Sequence, residues 1–185
     1  HGSAAIPRPG TIAEGTTVSD HLPIEKRLGR SVALSTAHTE VDHPAEPGRR
    51  VRITLLDTPG HPDFIGELRA GLRAADSALF VVSAVDGVDG ATRLAWRECA
   101  AVQMPRMVVL THLDSPRADF AEALATCREA FGDGGQPIYV PVSGDDGLGS
   151  GEPTGLVGLL SWTLYDESQG FMTLAPANNQ LVEQL

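Results

Sequence analysis

The sequence predicts an α/β fold with three layers, in which a mostly parallel sheet carries helices on both faces. Short apolar runs alternate along the chain with segments whose apolar residues recur at helical spacing. Two of these runs, 78–82 and 106–110, are continuous, which is typical of strands buried on both faces. The 185 residues, 42% hydrophobic and 21% charged, are enough for one globular domain, alone or with a small appendage.

The first half of the chain begins with a segment that has little periodicity. Residues 7–31 are rich in Gly, Pro, Thr and charged residues, and we expect a long loop there. Weak alternation predicts a strand at 32–41, and a turn at 43–48 leads to a second strand at 51–56. Apolar residues at helical spacing then predict a helix over 62–75.

The second half continues the alternation of strand and helix. The patterns predict strands at 78–82, 106–110 and 138–142, and helices at 91–102 and 118–131. Such alternation is typical of βαβ units.

The last part of the chain is less regular. We expect a flexible loop at 143–155, a short helix or helix–strand pair at 155–165, and no clear pattern from 166 onward. The predicted division is a main domain over 1–142 and a small appendage over 143–185.

Composition limits the partners and the compartment. The net charge of −10 argues against DNA as a partner, because phosphate contacts need a basic surface. No apolar run is long enough to cross a bilayer, so no membrane partner is expected. Cys99 and Cys127 have no close spacing and are interpreted as reduced thiols, which favours a cytoplasmic protein. Residues 1–3, His-Gly-Ser, do not form a signal peptide, and their pattern does not say whether they are native.

The strongest chemical signal is Asp57-Thr58-Pro59-Gly60-His61, at the end of a predicted strand. An aspartate there can hold Mg²⁺, usually through water. A glycine lets its backbone N–H approach a γ-phosphate, and the following histidine can orient an attacking water. The alternative is a turn that merely ends the strand. Asp114 also follows a strand, so that Asp57 and Asp114 are expected to face one crevice.

These residues carry a resemblance that covers nearly the whole chain. Asp57-Thr58-Pro59-Gly60-His61 with Asp63-Phe64 resembles switch II of translational GTPases. Glu14-Gly15-Thr16-Thr17-Val18-Ser19-Asp20 and Glu25-Lys26-Arg27-Leu28-Gly29-Arg30-Ser31 resemble the switch I region of elongation factor G. The stretch Asp76 to Val88 resembles the strand and loop that follow. Within this family, the chain most resembles the elongation-factor-G-like proteins of high-GC bacteria.

The resemblance implies a P-loop NTPase-like G domain that binds GTP or GDP with Mg²⁺. It implies that Asp57 and Ser31 are on the metal side, that Gly60 donates to the γ-phosphate, and that His61 positions the hydrolytic water. The intact protein would hydrolyse GTP to GDP on the ribosome. Ser31 stands where the family has threonine, and a plain loop serine is the alternative.

The guanine-recognition motif departs from the family pattern. Where the family has Asn-Lys-x-Asp, this chain has Thr111-His112-Leu113-Asp114. The resemblance implies that Asp114 accepts from the guanine ring, whereas Thr111 and His112 replace the usual bracing and packing residues. Weakened guanine affinity is expected. The alternative for Asp114 is the N-cap of the next helix.

The phosphate-binding loop G-x-x-x-x-G-K-[ST] does not occur in these residues, since the one lysine, Lys26, lies in Glu-Lys-Arg-Leu-Gly. The family carries it upstream of the region that matches residue 1, which implies a G domain truncated at its N-terminus and inactive alone. Its exposed strand edges would favour self-association. Residues 154–160 resemble the start of the insert subdomain of elongation factor G, so we expect 143–185 to begin that subdomain or to form a C-terminal tail. The alternative is that Ser143-Gly144-Asp145 is the last guanine-contacting loop of the family.

Two other functions remain open. The altered motif at 111–114 is compatible with a drifted paralogue that binds the ribosome without hydrolysis. A ribosomal-protection factor for tetracycline resistance has a similar nucleotide domain, and the domains that distinguish it lie outside this chain.

Overall fold

The computed structural model describes residues 10–11, 14–43, 45–132, 134–143, 147–148, 153–166 and 173–176. The chain divides into two compact units. The first comprises 1–78 and 94–105, and the second comprises 79–93 and 106–185. Within the described residues, no helix is both long and apolar enough to cross a membrane.

The first unit is built on a two-stranded antiparallel ladder. Strand β1 spans Ser35–Asp42 and β2 spans Arg50–Asp57. Their register runs from Ser35 opposite Asp57 to Asp42 opposite Arg50. The two predicted strands are confirmed, with bounds shifted by one to three residues, and the intervening turn brings the end of β2 beside the start of β1.

A short helix interrupts the segment that was expected to be a loop. Helix α1 spans Pro23–Leu28, so this part of the prediction is wrong. Pro23 stands in the first turn, where its missing N–H costs nothing, and Glu25 accepts from the Leu22 N–H at 2.9 Å. Gly29 ends the helix in the left-handed conformation, with φ of +63°. These three signals stand in the sequence and outweigh the low helical periodicity.

The segment after β2 is helical, as expected, but in two pieces. A 3-10 turn at Pro62–Phe64 precedes helix α2 at Ile65–Leu72. Helix α3 then spans Gly90–Ala101. Arg69 of α2 forms a two-bond ion pair with Glu98 of α3, with N–O distances of 2.7 and 2.9 Å.

Strands β3 (Ala78–Ser83) and β4 (Arg106–Thr111) form a second sheet. The side chains of Phe80 and Val82 are buried, and the Phe80 ring lies 6.1 Å from that of Phe131. Leu79 and Val81, on the opposite face, are 59% and 65% exposed. The prediction of a strand buried on both faces is therefore wrong for β3 in the described part of the chain, because side chains cover only one of its faces.

Helix α4 spans Phe120–Phe131, and its N-cap is Asp119, whose carboxylate accepts from the Glu122 N–H at 2.9 Å. The alternative that Asp114 caps this helix is consequently wrong. The sequence contained the sign, since Asp119 precedes the apolar run directly and Glu122 follows three residues later.

The third sheet has five short strands in the order β6–β5–β7–β8–β9. Their bounds are Tyr139–Ser143 for β5, Gly147–Leu148 for β6, Gly155–Gly158 for β7, Thr163–Asp166 for β8 and Thr173–Pro176 for β9. All four of its ladders are antiparallel.

The helix expected within 155–165 is wrong, because this segment is the hairpin of β7 and β8. Small residues explain the close pairing. A Cβ on Gly155 would lie 2.6 Å from the Tyr165 carbonyl oxygen. Backbones that approach this closely need glycine. Part of the flexible loop predicted at 143–155 lies outside the described residues.

The described residues thus form three sheets, and the ladders of the first and third are antiparallel. A single mostly parallel sheet with helices on both faces is not established by these elements and stays a prediction, as does the domain boundary at 142.

Candidate functional site

The β1–β2 ladder brings two of the predicted site segments to one end. Asp57 is the last residue of β2, is exposed, and lies opposite Ser35, the first residue of β1. Residues 31–34 precede Ser35 directly. The antiparallel register therefore places the segment that contains Ser31 at the end of the ladder where Asp57 lies.

The Ser31 hydroxyl is engaged with a carboxylate. It donates to Asp20 Oδ1 at 2.6 Å, a short bond typical of a hydroxyl paired with a charged acceptor. The Ser31 residue is half-buried. The hydroxyl thus has a defined orientation, and a different ligand would have to displace or share it.

Carboxylates also hold the backbone on the C-terminal side of Ser31. Glu25 is 1% exposed and accepts from the Val32 N–H at 3.1 Å and the Ala33 N–H at 3.3 Å. Glu67 of α2 accepts from the Leu34 N–H at 2.7 Å. Burial alone raises the pKa of the Glu25 carboxyl, but the backbone N–H groups it accepts from outweigh burial and hold that pKa below its usual range.

The turn after β2 combines a buried proline with an open glycine. Pro59 is buried, whereas Gly60 is exposed, and no described atom outside its chain neighbours would lie within 4 Å of a Cβ built on it. The space beside Gly60 is therefore open to a ligand. Its backbone N–H is the group that sequence reasoning assigned to a γ-phosphate.

His61 caps the 3-10 turn that follows. Its Nδ1 accepts from the Asp63 N–H at 3.3 Å, and the same nitrogen lies 3.6 Å from Asp63 Oδ2. This contact uses the Nδ1 lone pair, so in this arrangement the neutral ring carries its proton on Nε2. The His61 side chain is 42% exposed, which leaves Nε2 accessible to water.

The second unit holds the residues predicted to contact guanine. Thr111 ends β4, and its hydroxyl lies 3.4 Å from the Val82 carbonyl oxygen and 3.3 Å from His112 Nδ1. A hydroxyl has one proton, so if it donates to Val82 it accepts from the imidazole N–H. His112 has a φ of +58°, in the left-handed region that few residues other than glycine adopt, although histidine does so more often than most.

Asp114 lies in the turn between β4 and α4 and is exposed. Since Asp119 caps α4, the Asp114 carboxylate is not committed to that helix end. Asp57 and Asp114 belong to different units, and the crevice they were expected to share stays a prediction.

The candidate metal ligands are chemically suited to magnesium. Asp57 offers a carboxylate and Ser31 a hydroxyl, and Mg²⁺ prefers oxygen ligands. The Asp20 carboxylate, which binds the Ser31 hydroxyl, adds a further oxygen donor to this neighbourhood. Among the described residues, no three or more His, Cys, Asp or Glu side chains gather in a way that could hold a metal ion, so the Mg²⁺ site stays a prediction.

Sequence reasoning missed three carboxylates of this site. Glu25 is signalled locally, because it stands three residues after Leu22 in a Pro-started helical turn. Glu67 has no local signal, since its partner Leu34 lies 33 residues earlier. Asp20 has no local signal for its bond to Ser31, which spans 11 residues.

Comparisons with known proteins find relatives that cover most of the chain. A family profile described as "Elongation factor Tu GTP binding domain" matches residues 1–182. The chain is 48% identical over 168 residues to an "Elongation factor G-like protein" of Mycobacterium tuberculosis, which covers 91% of this chain and 21% of that protein.

More distant relatives and a solved structure point the same way. The chain is 28% identical over 187 residues to "Ribosome-releasing factor 2, mitochondrial" of Drosophila sechellia, covering 95% of this chain and 26% of that protein. A crystal structure of a protein from Thermus thermophilus superposes with a TM-score of 0.81 and 34% identity, over 98% of this chain and 26% of the other. The chain thus spans about a fifth to a quarter of the length of these proteins.

Proposed function

The chain belongs to the family of elongation factor Tu GTP binding domains, and we propose that it is the GTP-binding domain of an elongation-factor-G-like translation factor. The observation that carries the proposal is the 48% identity to such a protein over 91% of the chain. In the whole protein, the domain hydrolyses GTP to GDP on the ribosome and works in the cytoplasm.

The γ-phosphate end of the nucleotide is assigned to the end of the β1–β2 ladder. Gly60 donates its backbone N–H to the γ-phosphate, and the open space beside it supports this role. Ser31 and Asp57 bind Mg²⁺, Asp57 partly through water. When bound, the ion offsets the negative charge that collects on the phosphate oxygens.

His61 orients the water that attacks the γ-phosphorus. With Nδ1 accepting from the Asp63 N–H, Nε2 carries the proton and presents a donor toward solvent. Positioning, rather than proton abstraction, is the role this tautomer supports. The bond to Asp63 also fixes one orientation of the His61 ring.

The base is assigned to the loop after β4. Asp114 accepts from the guanine ring N–H and amino group, and its freedom from the cap of α4 supports this. Thr111 anchors the loop to β3 through the Val82 carbonyl, and His112 takes the place of the usual lysine beside the base. Because neither is the family residue, guanine affinity is expected to be reduced.

The complete domain is proposed to be a three-layer αβα fold with a mostly parallel sheet, in which 1–142 form the nucleotide part and 143–185 begin an insert or tail. The partner is the ribosome, and neither DNA nor a membrane is proposed. Exposed apolar side chains on β3 and β4 support self-association of the isolated chain; they are Leu79, Val81, Met107 and Val109.

The test of the hydrolytic role is His61→Ala in the protein as it is encoded, with whatever sequence flanks these residues. Ribosome-stimulated GTP hydrolysis should fall by about two or more orders of magnitude, with little loss of GTP binding. Asp63→Ala is the control for the capping contact, because it keeps the backbone N–H that His61 accepts from. An unchanged rate in His61→Ala would refute the assignment.

A second candidate function is a ribosome-binding paralogue that does not hydrolyse GTP. The observation that favours it is the pair Thr111 and His112 in place of Asn and Lys. In this case the double substitution Thr111→Asn and His112→Lys should tighten GDP binding measurably in the encoded protein. If the affinity for GDP is unchanged, the replacement of Asn and Lys at positions 111 and 112 does not set the nucleotide affinity.

A further inference from the structure

Three consecutive backbone N–H groups after Ser31 donate to carboxylates from two different helices. Val32 and Ala33 donate to Glu25 of α1, and Leu34 donates to Glu67 of α2. Negatively charged side chains therefore hold the backbone of 32–34 along its whole length. Connecting the chain alone does not require such contacts. The inference drawn from these contacts rests on the proposed function only in the role that it gives to Ser31.

Glu25 uses both of its carboxylate oxygens. Oε2 accepts from the Leu22 N–H at 2.9 Å, while Oε1 accepts from Val32 and Ala33. An ionised side chain that is 1% exposed is costly unless polar groups replace its water, and here three backbone dipoles do so. The carboxylate thus connects the start of α1 to the residues directly after Ser31.

Glu67 connects the same segment to the helix that follows the Asp57–His61 turn. Its Oε2 accepts from the Leu34 N–H at 2.7 Å, the shorter end of the range for such bonds. One turn later, a Cβ on Gly71 would lie 3.1 Å from Thr58 Cγ2 and 3.6 Å from Leu34 Cδ1. Helix α2 therefore packs closely on both segments, and Gly71 is buried.

We propose that Glu25 and Glu67 are positioning residues for Ser31, and that Glu67 couples the Ser31 segment to the Gly60–His61 turn through α2. Together they fix the backbone of 32–34 so that the Ser31 hydroxyl can exchange Asp20 for a metal-bound nucleoside triphosphate. A diphosphate lacks the γ-phosphate that Gly60 is assigned to hold beside the metal assigned to Ser31. The two glutamates therefore act selectively on triphosphate binding.

The two sites respond differently to the same conservative change. Glu67 accepts one bond through one oxygen, so the amide oxygen of Glu67→Gln can replace it. Glu25 accepts through both oxygens, so Glu25→Gln turns an amide NH₂ toward at least one backbone N–H. Glutamine should thus keep the backbone hydrogen bond at position 67 and lose at least one at position 25. Loss of charge alone would affect both positions alike.

Amide hydrogen exchange on this chain tests the contacts without any nucleotide. In Glu67→Ala, exchange at Leu34 should accelerate about tenfold or more, while Glu67→Gln stays near wild type. In Glu25→Gln, either Leu22 or both Val32 and Ala33 should accelerate, according to which carboxylate oxygen the amide nitrogen replaces. The Cys127 amide in α4 reports global unfolding, and Glu129→Gln on the exposed side of α4 is the matched control. Equal exchange in wild type and Glu67→Ala would overturn the proposal.

Nucleotide affinities of the encoded protein test the positioning role. Glu67→Ala should weaken binding of a non-hydrolysable GTP analogue about tenfold or more, and should change the affinity for GDP less than about twofold. Glu67→Gln should restore the affinity for the analogue. Faster exchange at Leu34 with an unchanged GTP-to-GDP ratio would show a purely structural contact and overturn the proposal. Failure of the wild-type protein to bind either nucleotide would instead overturn the proposed function, and is recognised before any substitution is made.

Discussion

At the scale of single residues, the polar side chains of the candidate site are already occupied. Ser31 donates to Asp20, and His61 accepts from the Asp63 N–H. The residues assigned to metal and water are thus held by contacts within their own segments. Nucleotide binding in this account exchanges these contacts for others, and does not fill a set of free groups.

Glu25 predicts how the stability of the fold depends on pH. Because its pKa is lowered in the folded state from an ordinary value of 4.5, its ionised form stabilises the fold above that pH. This contribution is lost as pH falls below 4.5 and through the lowered folded-state pKa. Acid unfolding should therefore be less steep in Glu25→Gln than in wild type, as measured by circular dichroism against pH.

The control for this measurement is Glu129→Gln, which removes an exposed carboxylate of α4 and should leave the acid limb unchanged. The neutral-pH stability of Glu25→Gln should be lower than that of wild type, because its amide cannot accept all three N–H groups. If wild type, Glu25→Gln and Glu129→Gln all unfold at the same acidic pH and with the same steepness, the Glu25 carboxylate does not stabilise the fold as assigned.

At the scale of elements, caps decide which acidic residues are structural and which are available for binding. Asp119 caps α4, so Asp119→Ala should destabilise the chain by about 1 kcal/mol. Asp114 caps no described helix, so Asp114→Ala should change stability by less than about 0.5 kcal/mol. Urea unfolding of the two variants checks both values. A loss of stability in Asp114→Ala as large as in Asp119→Ala would argue for a structural Asp114.

Local signals predicted most elements, and long-range contacts explain the failures. The strands β1 to β5 and helices α2 to α4 follow from apolar patterning, since each pattern reports the face that its own element buries. The hairpin β7–β8 was missed because its cause is the close approach of Gly155 to the Tyr165 carbonyl, ten residues away. Helix α1 was missed although its caps were readable.

The same distinction applies to the candidate site. Asp57, Gly60 and His61 form one short run, so their chemistry could be predicted from the sequence. Glu67 could not, because nothing near residue 67 indicates a bond to Leu34. Local patterns also do not describe how the turn at 57–61 and the loop at 111–114 are placed, because the two segments are far apart in the chain.

At the scale of the whole molecule, the exposed face of β3 predicts self-association of the isolated chain. Leu79 and Val81 are mostly exposed on one face of a strand, and such patches mark contact surfaces or aggregation sites. The double substitution Leu79→Thr and Val81→Thr should lower the fraction of dimer or larger species in sedimentation velocity across a concentration series.

The control replaces Leu160, which is 80% exposed between β7 and β8, with threonine. It removes a similar apolar surface from a different place and should leave association unchanged. If the wild-type chain stays monomeric at every concentration, the exposed face is not an association surface under these conditions.

Calorimetric titration with Mg²⁺ present is the first measurement to make on whether this chain is a guanine-nucleotide-binding domain of a translation factor. GDP, GTP and ATP are titrated into this chain and into a form extended upstream through a phosphate-binding loop. We expect the extended form to bind GDP and GTP but not ATP, and Asp114→Ala to weaken this binding. The 185-residue chain should bind far more weakly. Equal affinity for ATP and GTP, or no nucleotide binding by the extended form, would contradict the account.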